Sequence, residues 1–161
     1  MEGQTIAWRD LSTANCPISR GLDLLGRPWA LLIVRDLLLG IRRFDDLHAK
    51  LGASRPVLAA RLRELEEAGV IRRVPYQEAG KRTRHEYRLT ERGRDLYPVI
   101  LTIREWGERH LLDADGAPIV SVHRGCGALV ETDLRCAAGH AGLSVKNTEA
   151  VLGPGARSRT A

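Results

Sequence analysis

Two sets of residues in this 161-residue chain have types and spacings suited to chemistry. The first is cationic: Arg42 and Arg43, then Arg55, Arg61 and Arg63, then Lys81, Arg82 and Arg84. Arginine presents a planar fork that fits phosphate oxygens and the edge of guanine. Between Arg42 and Arg94 there are 14 basic and 8 acidic residues, whereas from Asp113 to Ala161 the signs balance at 5 each. An excess confined to one segment is what neutralising a row of phosphates requires, although a solvated basic face has the same composition. The second set is thiol and imidazole: Cys16, His123-x2-Cys126 and Cys136-x3-His140. The last two pairs stand about ten residues apart and carry the donor types of a closed tetrahedral zinc site. In that reading His123, Cys126, Cys136 and His140 fill all four positions, so the metal is structural; the alternative is a tail folded by strand pairing without metal. Three cysteines cannot all pair with one another, which favours thiols or ligands over a disulfide framework.

Catalysis has little support. The chain has no glycine-rich phosphate loop, no GxSxG elbow and no HExxH pair. Nothing in the spacing of Cys16 relative to His48 or His85 recommends a nucleophile and its base. No apolar run approaches the roughly 18 to 20 residues that cross a bilayer, and the opening MEGQTIAWRDLS lacks the regions of a signal peptide. The expectation is a cytoplasmic binding protein, not an enzyme, with no membrane partner and no required cofactor, a structural zinc being one of the two readings of the tail.

The elements that must position these residues follow from the apolar periodicity. Residues 1–15 lack any and form an arm. Cys16-Pro17 opens a helix with Ile18, Leu22 and Leu25 on one face, broken by Gly26 to Pro28. The run from Trp29 to Leu39 is apolar nearly all round, which predicts a helix buried from several sides. Phe44, Leu47 and Leu51 mark a third helix, Gly52-Ala53 a tight turn, and Ser54 the N-cap of a fourth, with Pro56 in its first turn. Leu58, Leu62 and Leu65 turn that helix toward the core, leaving Pro56, Ala60 and Arg63 opposite, with Arg55, Val57 and Arg61 at the margins. Ile71 to Tyr76 and Arg84 to Leu89 read as strands, joined by a glycine-containing loop tipped by Lys81, Arg82 and Arg84. Helix, turn, helix and two strands with a basic loop form the layout of a winged helix-turn-helix module that reads duplex DNA. The helix 54–68 suits the major groove and the loop 77–84 the backbone or minor groove.

Thr90 caps a long helix from Glu91 to about Leu112 whose stripe Leu96, Val99, Ile100, Ile103, Trp106 and His110 is a candidate dimer seam. Two-fold symmetry would suit a palindromic operator. The predicted fold class is α+β, mainly α: a winged helix-turn-helix domain over 16–112 with a long C-terminal dimerisation helix, then a small β-rich tail over 113–152 and a flexible end over 153–161. Within the tail, 119–122, 128–130 and 143–145 are the expected strands. A winged helix can also serve as a protein-interaction scaffold that touches no DNA; retention of Arg55, Arg61, Arg63 and the 81–84 cluster argues for DNA.

Several residues together resemble the HxlR-type regulators, a bacterial branch of the MarR-like winged-helix proteins. They are Cys16-Pro17, Leu24-Leu25-Gly26 with Trp29, Leu37-Leu38-Leu39-Gly40 with Arg43-Phe44 and Leu47, Leu58 through Gly69, Tyr87 with Leu89-Thr90, Gly93, and Trp106-Gly107. The resemblance implies a homodimer that binds operator DNA through the second helix of the helix-turn-helix and the wing, most often as a repressor. Some similar proteins sense electrophiles or oxidants through a cysteine near the start of the first helix, where Cys16 lies; a helix N-terminus favours the thiolate. The same cysteine also fits as a small apolar residue at the dimer interface. Relatives with this tail resemble a degenerate zinc ribbon ending in a CxxC pair, whereas here Gly139 takes the last cysteine's place beside His140. The inducer, whether a small molecule or an electrophile, has no identifying constellation.

Overall fold

The computed structural model describes residues 6–77, 80 and 82–159. A short 3-10 turn, Trp8–Asp10, precedes four helices: α1 (Pro17–Leu25), α2 (Ala30–Leu38), α3 (Phe44–Leu51) and α4 (Arg55–Glu67). Strands β1 (Ile71–Tyr76) and β2 (Arg84–Leu89) follow, then α5 (Glu91–Arg94) and α6 (Tyr97–His110). This is a mixed α/β winged helix-turn-helix fold. The bounds of both strands coincide with those read from the sequence, because alternation and turn residues agree there, whereas the third helix, read as beginning with Arg42-Arg43-Phe44, starts at Phe44.

The core gathers around α2, which packs against α1, α3, α4, α6 and β2. Ile33, Val34 and Leu37 of α2 meet Leu47 and Leu51 of α3, Leu58, Leu62 and Leu65 of α4, and Val70 and Ile71 at the start of the hairpin. Burial on all sides of α2 is incomplete, since Leu32 and Leu39 remain 38% and 47% exposed. Apolar periodicity does not announce a charge in this core, yet Asp36 is fully buried, its Oδ1 accepting from Arg35 Nε at 2.8 Å and Nη2 at 2.7 Å. A buried carboxylate is tolerated when a guanidinium is committed to it in this way. Trp29, which caps α2, has φ 74°. That region costs a non-glycine residue roughly 1–2 kcal/mol, and the packing of the indole against the core is available to offset it.

Between α3 and α4, Gly52 takes φ 68° and donates its N–H to the His48 carbonyl. Left-handed backbone is what a tight helix-turn-helix corner needs, and glycine adopts it without a steric penalty. Ser54 stands at the N-cap of α4, but its hydroxyl makes no capping bond. β1 and β2 pair antiparallel from Ile71 opposite Leu89 to Tyr76 opposite Arg84. A bridge between Arg43 and Glu86 ties the segment before α3 onto this hairpin, with Tyr87 N–H donating to the Arg42 carbonyl at 2.8 Å.

The single long helix expected from Glu91 to about Leu112 is two helices. Thr90 caps the first, its Oγ1 accepting from Gly93 N–H at 3.1 Å and donating to the Gly69 carbonyl at 2.7 Å. Pro98 then falls in the first turn of α6. Proline has no N–H to give the carbonyl four residues back and its ring crowds that carbonyl, so a helix running through Arg94 must break and restart. Against its own chain α6 buries Leu101 at 5% exposure, and Val99, Ile103 and Trp106 of the candidate dimer seam are exposed.

The segment after α6 was expected to be β-rich. Residues 113–152 hold one isolated bridge, Val122 with Leu129, within a series of turns. Its apolar residues Val120, Leu129 and Val145 are exposed, so no second layer favours longer strands. The segment is anchored on α6 by polar contacts. Glu105 accepts from both the hydroxyl and the N–H of Thr132, and Arg104 Nη2 donates to the Val130 carbonyl at 3.2 Å. The Thr132 hydroxyl, with its N–H and the cations Arg104 and Arg109, holds the Glu105 carboxyl below its ordinary range. Past Gly153-Pro154-Gly155 the chain pairs with the arm: Leu11 bridges Ser158, and Ser12 N–H donates to the Arg157 carbonyl at 2.8 Å.

Candidate nucleic-acid interface

The inward leucines of α4 fix what its other face presents. Leu58, Leu62 and Leu65 are at most 1% exposed, and the helical period then leaves Pro56, Val57 and Arg63 exposed, with Ala60 half-buried. Ser54 and Arg55 are exposed at the start of the helix. The arginines on this surface differ in what already holds them. Arg55 pairs with Asp45 at 3.0 Å and lies over the Phe44 ring at 4.9 Å from its centroid. Arg61 is turned down, its side chain 15% exposed and paired with Glu64. Arg63 is exposed and has no ion-pair partner among the described residues.

The hairpin supplies the second part. Arg82 and Arg84 are exposed and likewise without ion-pair partners among the described residues; Lys81 lies outside the described residues. Arg42 is exposed just before α3, and Arg43 sits over the Tyr76 ring at 4.7 Å. Cross-strand pairing puts Arg72 beside Arg88 and Tyr76 beside Arg84, on one face of the hairpin. Arg72 and Arg88 did not stand out in the sequence, yet alternation from Tyr76 back to Arg72 carries the signal. Arg88 is paired with Glu86 and Arg73, on the opposite face, with Glu66. The hydrogen bond and charge of Glu66 raise the Arg73 pKa still further. Tyr87, half-buried beneath, has its phenol raised by burial.

The expected zinc site is not formed. His123 Nδ1 lies 3.3 Å from Cys126 Sγ, and Cys136 Sγ lies 3.2 Å from His140 Nδ1, but each pair closes on itself. Among the described residues no group of three or more histidine, cysteine or acidic side chains could hold a metal. Each pair spans its own backbone-bonded turn, with Gly127 N–H on the His123 carbonyl and Gly139 N–H on that of Cys136. Spacing predicts such local pairs; it cannot predict that two turns converge, and a tetrahedral site needs that convergence.

Cys16 is half-buried at the N-cap of α1, its thiol making no capping bond, and all three cysteines are free. Among the described residues no helix is long and apolar enough to cross a membrane.

Comparison with known proteins agrees with this geometry. The model of the HxlR-like helix-turn-helix family matches residues 24–115, which run from the end of α1 past α6. An uncharacterized HTH-type transcriptional regulator of Mycobacterium tuberculosis is 41% identical over 146 residues, covering 89% of this chain and 90% of the relative. The crystal structure of PA1607, a transcription-factor candidate, superposes with TM-score 0.74 at 40% identity over 86% of this chain and 95% of that one. The redox regulator HypR in its oxidized form gives TM-score 0.54 at 32% identity, over 61% of this chain and 100% of that one. Each of these relatives is described as a regulator or a transcription factor. With helix-turn-helix, wing and family match falling on the same residues, the chain belongs to the HxlR-like helix-turn-helix family and is a DNA-binding transcriptional regulator.

Proposed function

We propose that the protein is a homodimeric repressor that reads a palindromic operator, with the exposed face of α4 in the major groove and the wing along the backbone. The observation that carries this reading is that Arg63 on α4, and Arg82 and Arg84 on the wing, are exposed and unclaimed by acidic partners among the described residues. Charges not already neutralised are the ones that release counterions from a duplex. Ser54, Arg55, Pro56, Val57 and Ala60 form the remainder of the reading face, with Arg42, Arg43 and Lys81 on the backbone; Arg61, held by Glu64, acts from the margin. Dimerisation is supported by apolar surface that this chain leaves uncovered: Val99 and Trp106 on α6 at 41% and 55% exposure, and Ile18 and Leu22 on α1 at 71% and 58%. Repression is the mode that the resemblance to HxlR-type regulators most often implies.

Fluorescence anisotropy on DNA from upstream of the gene and on a scrambled duplex tests the assignment. Arg63→Ala is expected to narrow the discrimination between the two by about tenfold or more, the worth of one bidentate base contact. Equal loss on both duplexes would remove Arg63 as a base reader.

A second reading concerns the signal. Cys16 stands at a helix N-terminus, and the oxidized redox regulator HypR is among the similar structures. A thiol sensor at Cys16 predicts that Cys16→Ser binds operator DNA like the parent but no longer releases it on treatment with a quinone or peroxide. Continued release by the variant excludes the thiol.

A further inference from the structure

α2 and α6 line a half-open groove of about 500 Å³, with residues 117–119 along one side. That volume is within the range of sites for small organic molecules. Its walls are apolar: Leu31 and Leu38 from α2, Ile100 and Leu101 from α6. Its charged groups are mostly spoken for. Arg35 is committed to buried Asp36, and Arg104 faces Glu108 at 3.1 Å while donating to Val130. Lys50, in the last turn of α3, also lines the cavity and has no ion-pair partner among the described residues. An apolar groove edged by one exposed lysine without an ion-pair partner among the described residues is complementary to an apolar molecule carrying one negative charge.

Gly107 is an independent observation. It lies inside α6 and lines the cavity, yet nothing stands within 4 Å of where its Cβ would be. Glycine is among the least favourable residues for a helix interior, and neither a positive φ nor a close approach requires it here. What the missing side chain does is keep the chamber open. Ile100 and Ile103 of the candidate dimer seam line the cavity beside Gly107, while at about 100° per residue Val99 and Trp106 lie some 80–100° around the helix, so a second copy seated on Val99 and Trp106 would border the groove.

We propose that this cavity is a binding site for a hydrophobic monocarboxylate, its chain between α2 and α6 and its carboxylate at Lys50. Because α2 also packs on α3 and α4, an occupant that shifts α2 alters the presentation of the reading helix. That this ligand is the regulator's signal rests on the proposed repressor function; that it binds does not.

Decanoate and its neutral counterpart decanol are the probes, titrated calorimetrically into the full chain. Decanoate is expected to bind one site per chain about fivefold more tightly than decanol, the scale of one solvent-exposed charge pair. Lys50→Met should make the two equal, and Gly107→Leu, which has room for its side chain, should weaken both by more than tenfold while sedimenting like the parent. Operator affinity should change several-fold with decanoate for the parent and not for Gly107→Leu. Parent-like decanoate binding by Gly107→Leu overturns the site, as does equal binding of the two probes to the parent. Loss of the dimer in Gly107→Leu would instead assign the groove to a second copy. Failure of the ligand-free parent to bind any duplex would sink the regulator reading alone and leave the calorimetric result standing.

Discussion

Gly93→Ala is expected to destabilise the fold by about 2–4 kcal/mol, a larger effect than any other single methyl addition argued from this structure. A Cβ at position 93 would stand 2.1 Å from the Val70 carbonyl oxygen and 2.9 Å from Leu89 Cδ2. The oxygen cannot simply yield, because it accepts from Thr90 N–H at 3.0 Å and from Thr90 Oγ1 at 3.1 Å. Val70 is 2% exposed and opens the hairpin, so moving it displaces β1 and strips a buried acceptor of its donors. Thermal unfolding followed by circular dichroism should fall by roughly 5–15 °C for a chain of this size. Thr90→Val is the companion. It removes the hydroxyl that bonds Gly69 and Val70 and caps α5, but puts a methyl where that oxygen stood, 2.7 Å from the Gly69 carbonyl, and should cost about 1–2 kcal/mol, less than the backbone clash at Gly93. A Gly93→Ala protein as stable as the parent would show that the α5 turn can lift off the hairpin freely, and that Val70 is not fixed by it.

What was legible in the sequence and what was not divide along physical lines. The hairpin was legible to the residue, and α3 to within two residues at its start, because side-chain period and turn glycines are local. The reading face of α4 was legible for the same reason: three leucines at helical spacing fix one side, and the other follows. Pro98 was as visible as those leucines, but the amphipathic stripe around it suggested continuity, and the steric effect on the carbonyl four residues back prevailed. Leu101, which the candidate seam does not include, is the residue that α6 buries against its own chain, with Leu96 and Ile100 of the seam half-buried beside the core, because what a helix packs on sets its orientation. Long-range convergence was the least legible. The two Cys/His pairs were found as pairs, and their failure to meet is a property of the tail's path over α6, which Thr132 and Glu105 set across 27 positions of sequence. Likewise the sequence supplied the arginines but not their commitments: Arg61 to Glu64, Arg55 to Asp45, Arg73 to Glu66.

Those commitments make the wing a sharper target than its charge count suggests. Simultaneous replacement of Lys81, Arg82 and Arg84 by alanine is expected to weaken binding to every duplex, operator and scrambled alike, and to flatten the salt dependence. Each phosphate that the protein ceases to neutralise takes about 0.9 from the slope of log K against log salt, so three take about 2.7. Between about 50 and about 200 mM salt the gap between variant and parent should therefore close by roughly fortyfold. Arg73→Ala is the control, because its guanidinium is already met by Glu66 at 2.9 Å and stands on the opposite face of the hairpin from Arg84. Removing a cation that is neutralised internally releases no counterion, and the slope should stay within a few tenths of the parent's. Arg63→Ala should differ from both, narrowing discrimination more than it alters the slope. If the triple variant keeps the parent's slope, the wing does not follow the phosphates. The basic excess between Arg42 and Arg94 is then a solvated surface around α4, and α4 alone would have to hold the duplex.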